Sequence, residues 1–163
     1  RVLSLKKTYK GLFQNMEAVR GISFVAEKGT IVSILGNNGA GKSSTISTLC
    51  GTLSTTSGDV FVKDKSIHSS MNDIRLLLGV CHQENILWDE LTANEHLTLF
   101  CELKGFARKD IIKEVDERLA QVALLNVKHK CVREYSGGMK RRLSVAIACI
   151  GDPQIILLDE PTT

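Results

Sequence analysis

Three observations in the amino-acid sequence predict an α/β fold. Short apolar runs occupy residues 30–35, 78–81 and 155–158, as buried strands do. A glycine-rich loop follows the first run, and a helix-like segment follows that loop. Between the second and third runs, residues 92–150 place apolar side chains at helical spacing. The sequence therefore predicts a core of strands and helices that a helical stretch interrupts before the core resumes.

The composition is that of an ordinary globular domain. The 163 residues are 43% hydrophobic and 24% charged, and they are numerous enough to bury one core. The net charge of +3 is too small to indicate a partner. No secretory signal is present, and no apolar run approaches the roughly 18 residues that span a bilayer, so we expect no membrane span here. Because the chain opens on a strand-like run and stops just after an apolar one, we interpret it as a piece of a longer polypeptide.

Five cysteines, an odd count without a C-x-x-C pair, favour reduced thiols in a cytosolic compartment. The neighbours Cys81 and His82 could also be metal ligands. No second pair lies at zinc spacing, so we favour a packed cysteine beside a loop histidine.

The N-terminal part of the sequence predicts a small antiparallel β subdomain. Residues 2–9 and 22–26 alternate like strands on either side of a polar turn that contains glycine. After a Ser- and Thr-rich loop at residues 54–58, residues 59–63 alternate as a further short strand. A helix is expected near residues 71–77, just before the second apolar run.

The glycine-rich loop at residues 36–43 carries the strongest functional signal. Its sequence fits G-x-x-x-x-G-K-[ST], a phosphate-binding loop. Glycines allow a tight turn whose backbone N–H groups converge on phosphate oxygens, and the helix that follows favours anions at its N-terminus. Lys42 is expected to reach the outer phosphates and the Ser43 hydroxyl to bind Mg²⁺. The candidate nucleotide-binding residues of this loop are Gly36, Asn37, Asn38, Gly39, Ala40, Gly41, Lys42, Ser43 and Ser44.

The segments on either side of the loop support this assignment. We expect residues 30–35 to form a buried strand and residues 43–50 to form a helix, with Gly51 as its C-cap. The glycine order excludes the G-x-G-x-x-G fingerprint of dinucleotide-binding folds.

The helical stretch contains three predicted helices. Residues 92–104 form the first, with Thr92 as the N-cap and a capping box with Glu95. Residues 109–125 and 136–150 form the second and third. The predicted apolar stripe of the second helix consists of Ile112, Val115, Leu119 and Val122.

Two carboxylates, Asp159 and Glu160, directly follow the last apolar run. An acid at the C-terminal end of a buried strand lies where parallel α/β sheets bind ligands. Asp159 would help to hold Mg²⁺, and Glu160 would polarise an attacking water as general base. The alternative is a solvated acidic turn, which the phosphate loop upstream disfavours.

Residues 135–142 combine two glycines with a predicted helix start. Ser136 is a good N-cap, and Gly137 and Gly138 leave the helix N-terminus open to an anion. The chain would then contain a second helix N-terminus that faces phosphate, although an ordinary glycine-rich turn fits the residues equally well. We expect the basic run at residues 140–142 to be a solvated helix start rather than a nucleic-acid patch.

Taken in order, these motifs resemble those of ATP-binding cassette (ABC) ATPases. Residues 136–139, Ser-Gly-Gly-Met, resemble the signature motif of that family, and residues 155–160 resemble its Walker B motif. Gln83 lies where the Q-loop glutamine belongs. Tyr9, 27 residues before Gly36, resembles the aromatic residue that stacks on adenine, although an aromatic in an edge strand also serves packing.

Within the family, residues 84–88 and 138–146 look most like subfamily A transporters, whose substrates are mainly lipids. His82 stands where proline is common, and Met139 where glutamine is general. The D-loop and switch histidine that the family places after Pro161 do not follow here, so we expect an isolated piece to hydrolyse ATP poorly.

The resemblance implies a P-loop NTPase (RecA-like) fold with an N-terminal antiparallel β subdomain, incomplete at the C-terminus. The core would comprise residues 1–85 and 152–163, and an inserted α-helical subdomain would comprise residues 86–151.

The resemblance also implies a mechanism in which two such domains pack head to tail around two ATP molecules. Lys42 and Mg²⁺ would neutralise charge, Glu160 would orient water, and Gln83 would touch Mg²⁺ or that water. The implied partners are a second ABC ATPase domain and the transmembrane domains of a transporter, at the cytosolic face of a membrane. The residues that would close the nucleotide site of the partner domain are Ser136, Gly137 and Gly138.

Two other functions compete with that of a transporter ATPase. A soluble ABC ATPase acting on nucleic acid or ribosomes is disfavoured, because the insert between Gln83 and Ser136 carries no extended basic arm or coiled coil. An inactive, regulatory nucleotide-binding module is disfavoured by Glu160, the expected base. We expect no nucleic-acid partner.

Overall fold

The structure is a computed structural model that describes residues 1–160. The chain forms two compact units, one of residues 1–75 and one from Leu76 onward. The last three residues of the predicted core, 161–163, lie outside the described residues, and the predicted subdomain boundaries stay a prediction.

A four-stranded antiparallel sheet forms the base of the first unit. Its strands are β1 (Val2–Tyr9), β2 (Met16–Phe24), β3 (Ser57–Val62) and β4 (Lys65–Ser66). The strand order is β2-β1-β3-β4, and every neighbouring pair is antiparallel. The small antiparallel subdomain predicted from the sequence is therefore present.

Strand β2 begins six residues earlier than predicted, at Met16 instead of residue 22. Met16 pairs with Tyr9, so hydrogen bonds to β1 extend the strand back towards the turn. Val19, on this extension, is buried and packs with Leu5 and Val60 in the core of the unit. Burial of that side chain favours the longer strand.

Helix α1 (Lys42–Leu49) belongs to the first unit, and α2 (Met71–Leu77) begins in that unit and ends two residues beyond its boundary. Both lie where the sequence predicts them. Helix α1 ends at the C-cap Cys50, and the next residue, Gly51, has a φ of 68°. Glycine adopts this left-handed conformation without steric penalty, so Gly51 ends the helix as expected.

The strand predicted at residues 30–35 is wrong. These residues have no regular secondary structure, and the side chains of Ile31 and Leu35 are 96% and 90% exposed. An apolar, β-branched run becomes a strand only where a neighbouring strand supplies hydrogen bonds, and none within residues 1–75 pairs with this segment. The phosphate loop therefore follows an irregular segment.

The second unit combines a pair of parallel strands with three helices. Its elements are β5 (Leu78–Cys81), α3 (Ala93–Leu103), α4 (Arg108–Gln121), two 3₁₀ turns (Leu125–Val127 and Val132–Glu134), α5 (Gly137–Ala148) and β6 (Ile155–Leu158). The two strands run in register from the pair Leu78–Ile155 to the pair Cys81–Leu158. Among the helices of residues 1–160, none has the length and apolarity to cross a bilayer.

Strand β6 is less buried than its apolar sequence predicts. Ile156 and Leu158 on one face are 44% and 42% exposed. Within residues 76–160, β5 is its only paired neighbour, so β6 is an edge strand here. Asp159 and Glu160, which follow this strand, are partly exposed.

Helix α3 begins with the predicted capping box. The Thr92 hydroxyl accepts the Glu95 N–H at 3.1 Å, and the Glu95 carboxylate accepts the Thr92 N–H at 2.7 Å. The Thr92 hydroxyl also donates to the same carboxylate. The hydrogen bond from the backbone N–H, and to a smaller extent the one from the hydroxyl, lowers the pKa of Glu95. The prediction is confirmed because a capping box depends on neighbours only three residues apart.

The apolar stripe of α4 includes Val115 and Leu119, as predicted, but it begins at Ile111 instead of Ile112. Ile111 is 5% exposed, whereas Ile112 is 73% exposed. Ile111, Val115 and Leu119 follow each other at intervals of four residues and form a straight buried row. The helix ends at Gln121, so Val122 is its C-cap and not part of its last turn.

The end of α5 and strand β5 approach each other at Gly79. A Cβ atom at this position would collide with the Ala148 carbonyl and with the ring of Pro153. Since only a hydrogen atom fits there, main chain touches main chain.

Candidate functional site

The phosphate loop in the first unit has the backbone that its glycines predict. Gly39 and Gly41 have φ values of 81° and 90°, a region that side chains disfavour. A Cβ atom on Gly41 would also collide with the Ala18 carbonyl oxygen. Gly41 is the N-cap of α1, no side chain caps this helix by a hydrogen bond, and its first turn contains no acidic residue. The positive end of the helix dipole is therefore not neutralised by the protein.

Lys42 folds back over this loop. Its Nζ donates to the Gly36 carbonyl at 2.8 Å and to the Asn37 carbonyl at 3.2 Å. The ammonium group thus lies at the opening of the loop, where phosphate oxygens could replace the carbonyl acceptors. Ser43 is exposed at the start of α1, with its hydroxyl on the same helix end.

Tyr9 lies beside the start of α1, as the predicted adenine contact requires. Its hydroxyl is 3.1 Å from the Ser44 Oγ atom, and 37% of the residue is exposed. The Lys7 ammonium lies 5.3 Å from the centre of its ring. The structure therefore brings Tyr9 together with the phosphate loop inside the first unit.

The remaining predicted site residues belong to the second unit. Gln83 follows β5 and Glu160 follows β6. Because the two strands are parallel, both residues lie at the carboxyl-terminal edge of this strand pair. The Gln83 Nε2 donates to Glu160 Oε2 at 2.9 Å. The Asp159 N–H donates to the Cys81 carbonyl at 2.9 Å, so the hydrogen bonding between β5 and β6 continues past the end of β6. The structure thus joins Gln83 to Glu160 through a side-chain hydrogen bond.

The predicted signature segment forms the start of α5. Ser136 is the N-cap, and its Oγ accepts the Met139 N–H at 3.3 Å. Gly137 and Gly138 are exposed, and a Cβ atom on either would meet nothing within 4 Å. This helix end is open to solvent, as an anion-binding end must be.

The candidate Mg²⁺ ligands are divided between the two units. Ser43 belongs to the first, and Gln83 and Asp159 belong to the second. A hydroxyl, an amide oxygen and a carboxylate are hard oxygen donors that suit Mg²⁺. The hydrogen bond from Gln83 Nε2 leaves the Oε1 atom of that amide for a cation. The donor chemistry fits the ion, and the assignment stays a proposal.

The alternative metal site at Cys81 and His82 gains no support. Within residues 1–160, no group of three or more His, Cys, Asp or Glu side chains could hold a metal ion. Burial raises the pKa of the Cys81 thiol, which disfavours the thiolate that a metal needs. Among residues 1–160, no disulfide joins any of the five cysteines.

The expectation that residues 140–142 are a solvated basic run is wrong for Arg141. Only 6% of Arg141 is exposed, and its guanidinium donates to backbone carbonyls near Gln83 and Glu160. Lys140 pairs with Asp89 at 2.8 Å, and the Arg142 guanidinium donates to the Val122 carbonyl. Sequence reasoning missed Arg141 because charge alone predicts exposure. The burial of Arg141 could have been predicted from its position, because it lies seven residues before the buried Ala148 and therefore on the same face of the helix.

Comparison with known proteins agrees with the fold and motifs. The family described as "ABC transporter" matches residues 19–163, and the chain belongs to that family. It is an ATP-binding domain of the ATPase class. The resemblance to ABC ATPases of subfamily A and the α/β fold predicted from the sequence are both confirmed.

Individual relatives carry A-family names. The chain is 48% identical to "ABC transporter A family member 1" of Dictyostelium discoideum over 99% of its length, but covers 19% of that protein. It is 40% identical to "ATP-binding cassette sub-family A member 6" of Mus musculus over 99% of its length, and covers 10% of that protein. The chain thus spans a fifth or less of these relatives.

A solved structure has the same fold. The dimer of the ATP-binding cassette MJ0796, in a post-hydrolysis state bound to ADP and Pi, matches with a TM-score of 0.88 and 26% identity. The match covers 99% of this chain and 73% of that one.

Proposed function

We propose that this domain binds magnesium ATP and hydrolyses it to power a membrane transporter. The observation that carries the proposal is the open phosphate loop, in which Lys42 lies over the carbonyls of Gly36 and Asn37 at the unneutralised end of α1. The solved cassette bound to ADP and Pi supports a nucleotide as the ligand.

In this mechanism each group of the chain has one task. The loop amides and Lys42 bind the phosphates, Tyr9 stacks on the adenine, and Ser43, Asp159 and the Gln83 amide oxygen hold Mg²⁺. When bound, Mg²⁺ neutralises charge that develops on the phosphate oxygens. Glu160 accepts a proton from the attacking water, and the products are ADP and phosphate.

Gln83 links the cation to the base in this mechanism. Its Nε2 donates to Glu160 Oε2, and its Oε1 would be the atom that holds Mg²⁺, so one side chain would serve both groups. Movement of the loop that carries Gln83 would therefore change the position of the base.

The two open helix ends support pairing of cassettes head to tail. In this arrangement, residues 136–138 close the nucleotide site of a second ATPase domain, as the dimeric cassette suggests. The name "ABC transporter" of an A-family relative supports the transmembrane domains of a transporter as further partners. The cytosolic face of a membrane as the location and lipid as the substrate class follow from the resemblance to subfamily A. The core of residues 1–85 with 152–163 and the helical subdomain of residues 86–151 are part of the same proposal.

The test uses two substitutions in the full-length polypeptide that carries this domain. Glu160→Gln removes the base, so turnover falls about 10²–10⁴-fold while ATP still binds. Lys42→Ala weakens ATP binding, because the phosphates lose their cation. Radiolabelled ATP binding and phosphate release measure the two effects.

The matched control is Glu90→Gln, which removes an exposed carboxylate from the same unit. It leaves turnover unchanged. Normal turnover by Glu160→Gln would exclude this glutamate as the base, and normal ATP affinity in Lys42→Ala would exclude the loop as the phosphate site.

A further inference from the structure

One buried side chain contacts both segments that carry the proposed catalytic pair. From helix α5, Arg141 Nη1 donates to the carbonyls of His82 at 2.5 Å and Gln83 at 3.1 Å. Its Nη2 donates to the carbonyls of Asp159 and Glu160, each at 2.8 Å. A single guanidinium therefore joins the segment after β5 to the segment after β6.

The burial of Arg141 makes these bonds obligatory. The residue is 6% exposed, and a buried cation destabilises a protein unless its donors are satisfied. The planar guanidinium places its two Nη atoms in a fixed geometry, and each serves one segment. A lysine ammonium is a point charge with three donors and cannot reproduce this fork.

The backbone at Glu160 gives independent support. Its φ is 45°, in the left-handed region that a side chain with a Cβ atom disfavours. Such a conformation persists only where the surroundings fix it, and strain of this kind concentrates at functional sites. The bond from Arg141 to the Glu160 carbonyl is one of the contacts that fix it.

The geometry points to Arg141 as a positioning residue that sets the distance between Gln83 and Glu160. The inference rests on the proposed function, since it concerns the base assigned there. Because Arg141 lies on α5, five residues after Ser136, the same helix that begins with the signature residues also holds the catalytic pair of its own chain in place.

The test is Arg141→Lys in the full-length polypeptide, with Arg118→Lys as the matched control. Arg118 is equally buried, in the same unit, but donates to Glu114, Gln121 and Asp152 away from the catalytic pair. We expect Arg141→Lys to lower kcat about 10-fold or more and to change KM for ATP less than about twofold, because the site is displaced but the phosphate loop is not. Both lysine variants are expected to lower Tm to a similar extent, but Arg118→Lys leaves kcat within about twofold of the unsubstituted protein.

Hydrogen–deuterium exchange supplies a readout besides activity. In Arg141→Lys, exchange accelerates in peptides that cover residues 82–84 and 158–160 and stays normal in α3 and α4. Equal losses of kcat in the two lysine variants, or unchanged kcat in Arg141→Lys, would overturn the inference. Failure of the proposed base is seen separately, as normal turnover in Glu160→Gln, whatever the exchange data show.

Discussion

His96 is a fully buried histidine whose two ring nitrogens are both engaged. The Trp88 N–H donates to Nε2 at 2.9 Å, so the ring proton resides on Nδ1, which donates to the Thr92 carbonyl at 2.8 Å. This neutral tautomer connects α3 to the loop that follows Gln83. A second ring proton would remove the acceptor of the Trp88 N–H.

The surroundings of His96 predict a dependence of stability on pH. Burial is the main cause that lowers its pKa below the ordinary 6.5, against smaller opposing effects of Thr92 and the Glu95 carboxylate. Below about pH 6.5 the unfolded chain therefore gains a proton that the folded chain does not. The free energy of unfolding falls by up to about 1.4 kcal/mol per pH unit until the lowered pKa is reached. Urea denaturation between pH 7.5 and about pH 5 measures this fall in the free energy of unfolding.

The substitution His96→Gln separates this histidine from the other titrating groups. It removes the part of the pH dependence of the unfolding free energy that His96 contributes. Glu95 acts in a lower range, because its lowered pKa makes stability fall only below the ordinary 4.5. An identical slope in His96→Gln would contradict the assignment.

At the scale of the helix, two neighbouring isoleucines have opposite environments. Ile111 packs in the core of the second unit, and Ile112 projects from the other side of α4. We expect Ile111→Ala to lower the free energy of unfolding by about 2–5 kcal/mol, through lost burial and the cavity it leaves. Ile112→Ala changes it by no more than about 0.5 kcal/mol. Chemical denaturation of the matched pair decides which residue belongs to the stripe, and equal effects would refute the burial pattern.

The elements that the sequence predicts well are those fixed by nearby residues. The Thr92 capping box, the helix end at Gly51 and the Ser136 N-cap all depend on partners within one or two turns. The phosphate loop belongs to this group too, because glycine adopts the positive φ of Gly39 and Gly41 without steric penalty.

The elements that the sequence predicts poorly depend on distant partners. The run at residues 30–35 has strand-like composition, but its pairing partner is not specified locally. Arg141 is buried only because four carbonyls from two distant segments converge on it. Of the predicted site, Tyr9 with Ser44 and Gln83 with Glu160 are in contact, which neither motif alone could establish.

At the scale of the whole molecule, the proposal assigns the two open helix ends to different nucleotides. One substitution separates them, because Gly138 is exposed at the start of α5 and belongs to the second unit. Gly138→Asp favours the helix, since a carboxylate suits its N-terminus, but repels a phosphate that approaches from a partner. We expect ATP affinity to stay within about twofold and ATP-dependent pairing of cassettes to be lost, as followed by crosslinking.

Gly138→Ala is the control for this prediction. A methyl group at that position meets no atom of its own chain within 4 Å and carries no charge, so we expect Gly138→Ala to keep more pairing than Gly138→Asp. If Gly138→Asp instead abolished ATP binding by its own chain, the two helix ends would serve one nucleotide, and head-to-tail pairing would be wrong.

We expect position 79 to accept no residue but glycine. Where Gly79 meets Ala148, the spacing between β5 and the end of α5 is set by contact with a backbone carbonyl. Any larger residue would separate the strand from the helix. Because that helix also carries Arg141, the separation would draw the guanidinium away from the carbonyls at the strand ends.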